Sequence, residues 1–301
     1  MQSKNIVIGN DVLERPDAFR EKSITLENIK LNFGPLFTKQ TVIRLTSSFV
    51  MAVPVIVSII LGGAYFTVFV AFLAATMSWE VTSTVGKPRK YFIEIGIGFF
   101  VALLVIIFGL FFAPSFSETI LPLFLSLLII VAFIFRKVHS VVSVVLGNII
   151  VVFSCFCMIW LRANFETEFF AWILLSVVAT DTGAFIAGST IGGIKLAPNI
   201  SPNKTWAGLL GGIFSSLVVA WVFYLFWLEV DILNIFIMAV VLAIISQVGD
   251  LVESAYKRSY KIKDSSRLIP GHGGVLDRLD GHIAAGIFMS FILLYYDRAL
   301  M

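Results

Sequence analysis

Ionisable residues are concentrated in one segment of this otherwise apolar chain, between Ser254 and Asp280, which reads SAYKRSYKIKDSSRLIPGHGGVLDRLD. Carboxylates set around a glycine turn suit a hard cation with oxygen ligands, and Mg²⁺ usually binds together with substrate phosphates. Neighbouring Lys and Arg side chains would neutralise the charge that builds up during phosphoryl-type transfer. A solvated basic loop would explain the Lys and Arg residues, but not the carboxylates and the GHGG turn. The segment therefore predicts a phosphate-handling site.

The candidate residues of this site begin just before the segment. Asp250, either Glu253 or Ser254, and Lys257 would share one face if the helix that precedes the segment continues through them. His272 carries an imidazole, which titrates near neutral pH and could act as a general base; its glycine neighbours favour a turn or a phosphate contact instead. The full set of candidates is Asp250, Glu253, Ser254, Lys257, Arg258, Lys263, Asp264, His272, Gly273, Gly274, Asp277, Arg278 and Asp280.

A second motif, Asp181-Thr182-Gly183-Ala184, lies inside an apolar run. A carboxylate at the centre of a membrane span costs about 3 kcal/mol or more, so an acidic residue there is a functional candidate by default. The alternative is a carboxylate that only forms hydrogen bonds between helices. Asp181 is therefore a candidate site residue with two open interpretations.

A third motif, residues 192–212, contains Ser201, Asn203, Lys204 and Thr205 just before an apolar run. Pro198 and Pro202 are incompatible with a helix interior, so a loop should precede that run. Helix N-terminal amides with a lysine and hydroxyl groups nearby form a ready anion site. An ordinary loop between helices is the alternative.

The composition is that of a membrane protein. Hydrophobic residues make up 58% of the chain and charged residues 14%, with a mean hydropathy of +0.96, whereas soluble domains carry about 25% charged residues. The net charge of +3 gives no indication of nucleic-acid binding, and we expect no nucleic-acid partner. The expected environment is the lipid bilayer.

The apolar runs predict an all-α polytopic membrane protein, since helices satisfy their own backbone hydrogen bonds in hydrocarbon. The runs do not alternate as the strands of a membrane β-barrel would. We expect three regions: a polar segment 1–41, N-terminal helices in 42–165 and a catalytic region in 166–301. The nine predicted spans are 43–61, 64–82, 93–113, 119–135, 141–161, 168–187, 207–228, 232–249 and 281–296.

The loops predict the orientation of these spans. Basic residues follow every even-numbered span: Lys87, Arg89, Lys90, Arg136, Lys137, Lys195, Lys204 and the long segment after residue 250. The other loops are short and poor in Lys and Arg. Because cytoplasmic loops carry the excess of Lys and Arg, the N-terminus and the candidate site should be cytoplasmic and the C-terminus should not.

The polar motifs closely resemble those of the phosphatidate cytidylyltransferases, also called CDP-diacylglycerol synthases. The family signature is met by Ser254, Lys257-Arg258, Lys263-Asp264, His272-Gly273-Gly274 and Asp277-Arg278-Leu279-Asp280. The Asp181 motif, Ser201–Thr205 and Gly249–Leu251 also resemble family motifs, so the resemblance covers roughly the C-terminal 120 residues. Trp79-Glu80 is a fainter match, and Tyr256 and Ala207 depart from the family pattern.

The resemblance implies that phosphatidate attacks the α-phosphorus of CTP, releasing pyrophosphate and forming CDP-diacylglycerol. It implies Mg²⁺ as cofactor and leaves open whether a monovalent cation joins it. The implied partners are CTP, phosphatidate, the bilayer of the bacterial inner membrane and a second copy of the chain in a homodimer.

The resemblance also implies a role for each candidate. The catalytic residues would be Asp181, Asp250, Lys257, Arg258 and Asp277. The metal ligands would be Asp250 and Asp277, with Glu253 and Asp280 as further candidates. The substrate-binding residues would be Ser201, Asn203, Lys204, Thr205, Ser254, Lys263, His272, Gly273, Gly274 and Arg278.

Other function classes share some of these features. A cation-coupled transporter would use intramembrane carboxylates but would leave the GHGG turn unexplained. A CDP-alcohol phosphotransferase needs an Asp-Gly-x-x-Ala-Arg run, which the sequence does not contain. A CTP-dependent polyprenol or dolichol kinase has needs similar to those of a cytidylyltransferase and stays open.

Overall fold

The computed structural model describes residues 39–85, 91–111, 139–226 and 231–300. These residues form eight helices and one two-stranded hairpin, so the predicted all-α membrane fold is confirmed. The elements in chain order are α1 (Lys39–Leu61), α2 (Gly63–Val85), α3 (Tyr91–Phe111), α4 (His139–Asn164), α5 (Thr167–Thr190), β1 (Lys195–Ala197), β2 (Ser201–Thr205), α6 (Trp206–Phe226), α7 (Ile232–Ser259) and α8 (Leu276–Leu300).

The lengths and composition of the helices fit a membrane-spanning bundle. Within the described ranges, seven helices, α2 to α8, are long and apolar enough to cross a bilayer, and α1 has a shorter apolar part at Thr46–Leu61. The predicted span 119–135 and residues 1–38 of the predicted polar segment lie outside the described residues. The count of nine spans therefore stays a prediction.

Two helices, α7 and α8, extend furthest beyond the apolar runs that predicted them, and those predicted bounds were too short. α7 continues ten residues past position 249, and α8 begins five residues before position 281. The extension of α7 is less apolar because it contains Glu253, Ser254 and Lys257. These polar side chains are buried against protein. The opposite side of the same turns exposes Val252. The polar side chains thus have partners in the interior, and the helix needs no break where hydropathy drops.

Small residues bring α5 and α6 into close contact. A Cβ atom added to Gly211 of α6 would lie 2.8 Å from the carbonyl oxygen of Gly183 in α5. Glycine at such crossings lets two membrane helices approach at backbone distance. The crossing fixes α5, which carries Asp181, against the helix that follows the hairpin.

The predicted loop before α6 contains a short hairpin. β1 pairs with β2 in antiparallel fashion, with Lys195 opposite Thr205 and Ala197 opposite Ser201. The Thr205 hydroxyl accepts a hydrogen bond of 3.0 Å from the amide of Gly208, which is the N-cap contact at the start of α6. Lys204 is therefore held on a paired strand one residue before the cap.

The hairpin, the loop between α7 and α8 and the C-terminal end of α2 lie at the same end of the bundle. Arg258 of α7 donates to the carbonyl oxygen of Ile200 in the hairpin at 3.4 Å, and Glu80 of α2 contacts the loop. At the opposite end of the bundle, Arg162 of α4 donates to the carbonyl oxygen of Ile59 in α1 at 2.9 Å. The described loops that were predicted to share one side, 189–205 and 250–280, thus do so. The predicted loop 87–90 and residues 136–138 of the predicted loop 136–140 lie outside the described residues.

We expect an impermeant maleimide added to intact cells to label Ala163→Cys but not Arg267→Cys, because the basic loops should be cytoplasmic. Both residues are exposed, and they lie at opposite ends of the bundle. Cys155 and Cys157 are buried and would be replaced by alanine as background. Permeabilised cells should label both positions, and labelling of Arg267→Cys from outside would reverse the topology.

Candidate active site

Three carboxylates form the centre of the site. Ligand atoms of Asp250, Glu253 and Asp280 all lie within 4.8 Å of one another. They come together because α7 and α8 touch at Gly249, where an added Cβ would lie 2.9 Å from the carbonyl oxygen of Asp280. Both carboxylate oxygens of Glu253 are buried, and Lys257 contacts one of them. Such a group of oxygen ligands fits a hard divalent cation.

Lys257 links this centre to the start of α8. Its ammonium nitrogen lies 2.5 Å from Oε2 of Glu253 and 2.7 Å from Oδ1 of Asp277. The side chains of all three residues are at most 10% exposed. Since an unpaired buried charge is strongly unfavourable, the lysine and its two carboxylates stabilise one another and fix α7 against α8.

The carboxylate of Asp277 is occupied by donors from the protein. Besides Lys257, it accepts hydrogen bonds from the backbone amide of Ser265 at 2.9 Å and from that of Gly274 at 2.8 Å. Gly273 has a φ of +85°, and a Cβ there would lie 2.7 Å from Oδ2 of Asp277. Asp277 lies outside the group of Asp250, Glu253 and Asp280, and metal binding by Asp277 stays a prediction.

The two upstream motifs meet the centre through hydrogen bonds and an ion pair. Nζ of Lys204 lies 2.8 Å from Oδ2 of Asp250 and donates to the carbonyl oxygen of Gln247 at 3.1 Å. The side chain of Gln247 donates to Oδ1 of Asp181 at 3.2 Å, and Ser254 donates to Asp250 at 3.2 Å. Helices α5 and α7 and the hairpin thus contribute to one continuous site.

Other predicted residues line the mouth of the site or shape its loops. Arg258 donates to the carbonyl oxygen of Ile262 at 2.8 Å, and Arg278 donates to that of His272 at 3.0 Å. Ser201 is half-buried, while Asn203, Arg258, Lys263 and Arg278 are exposed. The exposed cations can meet a phosphate without desolvating a buried charge.

His272 is held by helix α1. Its Nδ1 lies 2.8 Å from the hydroxyl oxygen of Ser47, and its Nε2 lies 3.3 Å from that of Ser48. Both ring nitrogens therefore contact protein hydroxyl groups. This geometry favours a residue that fixes the loop over a general base.

Glu80 is a site residue that the sequence marked only as a faint family match. Its side chain is fully buried on α2, and its carboxylate accepts hydrogen bonds from Ser266 and from the backbone amide of Leu276. The available signal was an acidic residue inside the predicted span 64–82, where a carboxylate is a functional candidate by default.

Comparison with known proteins identifies the family. A model of the cytidylyltransferase family matches residues 42–296. The chain belongs to the cytidylyltransferase family. The predicted family and the predicted nucleotidyltransferase class are thereby confirmed. The match favours a cytidylyltransferase over the transporter and kinase alternatives.

Three relatives illustrate the similarity, and each bears the name phosphatidate cytidylyltransferase. The protein of Rickettsia bellii is 38% identical over 204 residues, which cover 62% of this chain and 88% of that protein. The protein of Haemophilus influenzae is 43% identical over 129 residues, covering 41% of this chain and 45% of the relative. The protein of Bacillus subtilis is 43% identical over 120 residues, covering 40% and 45%. The matches to these last two thus span about half of each relative.

Asp277→Asn should lower turnover by about a hundredfold to a thousandfold, because the charge that pairs with buried Lys257 is lost at the site. Asp264 is exposed in the same loop, and its exposed charge should contribute less than about 1 kcal/mol. Asp264→Asn is therefore the matched control. The measurement is steady-state turnover of both variants at equal folded yield across a Mg²⁺ titration; equal losses would show that the roles of the two carboxylates are misassigned.

Proposed function

We propose that the chain transfers the cytidylyl group of CTP to phosphatidate, giving CDP-diacylglycerol and pyrophosphate in phospholipid biosynthesis. A phosphate oxygen of phosphatidate forms a bond to the α-phosphorus of CTP, and the bond from that phosphorus to the bridging oxygen of the β-phosphate breaks. The observation that carries the proposal is the group of Asp250, Glu253 and Asp280, set among lysines at one end of the membrane helices.

The position of the site supports a lipid phosphate as one substrate. The carboxylate centre lies where α7 and α8 meet the loop, at the end of the bundle rather than at its middle. Large apolar side chains are exposed on α5, on α6 and just before the hairpin, among them Phe185, Leu210 and Ile194. A lipid can therefore keep its acyl chains against apolar surface while its phosphate reaches the polar end, where a water-soluble nucleotide also arrives.

The cations of the site fall into two groups, which differ in their carboxylate partners and in their exposure. Lys257 is buried between two carboxylates, and its role is to balance their charge and hold them in place. Lys204 is 13% exposed and pairs with a single carboxylate, that of Asp250, and Arg258, Lys263 and Arg278 are exposed. We assign these four to phosphate binding, because positioning and charge neutralisation are the main requirements of phosphoryl-type transfer.

The residues present fit Mg²⁺ as cofactor. Carboxylates outnumber ammonium groups in this group: among the described residues, Asp250 pairs with Lys204 and Glu253 pairs with Lys257, whereas Asp280 forms no salt bridge. The carboxylate oxygens of Glu253 are buried beside Lys257, and such oxygens are the kind of ligand that a hard cation takes. We propose Asp250, Glu253 and Asp280 as its holders, with Asp277 as a further candidate. When bound, the ion would supply charge stabilisation to the phosphate oxygens.

Two further features of the proposal come from the family resemblance and the loop charges. The protein would lie in a bacterial inner membrane with the site facing the cytoplasm, where CTP is made. The homodimer implied by the family resemblance is also part of the proposal. Neither feature alters the chemistry assigned to the described residues.

We expect purified protein in detergent to move label from the α-phosphate of CTP to phosphatidate, and only when a divalent cation is present. Label on the γ-phosphate should instead appear in pyrophosphate. Thin-layer separation of the lipid products with each labelled CTP measures both transfers. Asp250→Asn is the matched inactive variant, because it keeps the shape of a residue in the carboxylate centre.

Two outcomes would contradict parts of this proposal. Movement of γ-label to a polyprenol, with no α-label transfer to phosphatidate, would identify a kinase. Full α-label transfer in excess chelator would remove the metal from the proposal while leaving the substrates in place.

A further inference from the structure

Glu80 joins the N-terminal helices to the loop that carries the site. Its Oε1 accepts from the hydroxyl of Ser266 at 2.6 Å and from the backbone amide of Val275 at 2.9 Å. Its Oε2 accepts from the hydroxyl of Ser265 at 3.2 Å and from the backbone amide of Leu276 at 2.7 Å. One buried carboxylate of α2 thus receives four hydrogen bonds from both ends of the loop at 264–276.

The amides that Glu80 binds are those at the N-terminus of α8. The first amides of a helix have no partner within the helix, and the helix dipole favours a negative charge there. Asp277 lies in the first turn of α8, and Asp280 follows one turn later. A carboxylate that fixes this N-terminus therefore fixes the position of both aspartates relative to α7.

Ser265 connects Glu80 directly to the ion pairs of the site. Its hydroxyl donates to Glu80, while its backbone amide donates to Asp277, which in turn pairs with Lys257. The contacts thus run without interruption from α2 through the loop to Lys257 of α7. A change at Glu80 reaches Glu253 of the carboxylate centre through three intermediate residues, Ser265, Asp277 and Lys257.

The carboxylate of Glu80 packs directly against the backbone of the loop, at a position where the loop residue has no side chain. A Cβ added to Gly274 would lie 2.5 Å from Oε1 of Glu80, so the loop can approach only where the glycine lacks a side chain. Glutamine would place an amide group, which donates, against donors that need an acceptor. Aspartate is shorter by one methylene group and would not span the same distance.

We propose that Glu80 is a positioning residue for the reaction, and that it holds the loop 264–276 and the first turn of α8 so that Asp280 stays beside Asp250 and Glu253. The inference rests on the proposed function for its catalytic consequence. Its structural consequence, an ordered loop, is independent of which substrates the protein uses.

The first experiment compares Glu80→Gln with Glu94→Gln in otherwise intact protein in detergent. Glu94 is also a buried glutamate, 2% exposed, on the neighbouring helix α3, and its oxygens accept no hydrogen bond from the described residues. The readout is amide hydrogen exchange of the peptide that covers residues 264–276. Exchange should accelerate by about tenfold to a hundredfold in Glu80→Gln, as expected when hydrogen bonds to a charged acceptor are lost, and should be unchanged in Glu94→Gln.

The second readout is the Mg²⁺ dependence of cytidylyl transfer. In Glu80→Gln the half-saturating Mg²⁺ concentration should rise roughly tenfold, in the range seen when residues that orient metal ligands are altered. A residue that only stabilises the fold would lower the folded yield and leave the Mg²⁺ dependence of the remaining protein unchanged. That pattern, or unchanged exchange of the loop, would overturn the proposal.

A second variant keeps the test decisive if Glu80→Gln does not fold. Ser266→Ala removes a single donor to Glu80 and should produce the same loop and Mg²⁺ effects at a smaller size, about threefold to tenfold. Normal loop exchange and Mg²⁺ dependence in Ser266→Ala would count against the proposal. Accelerated loop exchange in a protein whose wild type shows no cytidylyl transfer would instead overturn the proposed function alone.

Discussion

The ion pairs of Lys257 are the interaction on which the rest of the site depends. An ammonium group and two carboxylates are buried together at the junction of α7 and α8. Removing one partner from such a buried arrangement costs about 3 to 5 kcal/mol, because an uncompensated charge is left in a medium that cannot solvate it. Asp277 of α8 therefore stabilises the polar extension of α7, and the two helices are fixed to each other beside the carboxylate centre.

Further contacts balance the other charges of the site around the ion pairs of Lys257. Lys257 pairs with Glu253 and Asp277, Lys204 pairs with Asp250, and the amides of the loop satisfy Asp277 and Glu80. Glu253 shares Lys257 with Asp277, and within the part of the chain that the structure describes Asp280 forms no salt bridge. Negative charge thus remains at the centre and positive charge at the rim, an arrangement suited to a cation at the centre and phosphates around it.

Much of the site was predictable from residue types and spacing. The segment from Ser254 to Asp280, the Asp181 motif and the Lys204 motif were each expected near one face of the membrane, and the structure brings all three together. Glu80 was marked only as a faint family match, and its contacts with the loop were not predictable, because its partners are backbone amides and serine hydroxyls nearly two hundred residues away in the chain. The distinction between Asp277 and Asp280 was also inaccessible, since both are acidic residues at helix spacing, and only the loop amides show which carboxylate is already occupied.

The sequence by itself determined that the chain is an all-α membrane protein with its chemistry in polar segments, because apolar runs of this length satisfy their backbone hydrogen bonds only as helices in a bilayer. It also carried the family motifs, which are local in sequence. The tertiary structure decided where the helices end, which carboxylates group together and which are held by protein donors. These features depend on contacts between residues far apart in the chain, and a buried polar group is stable only where such distant partners meet it.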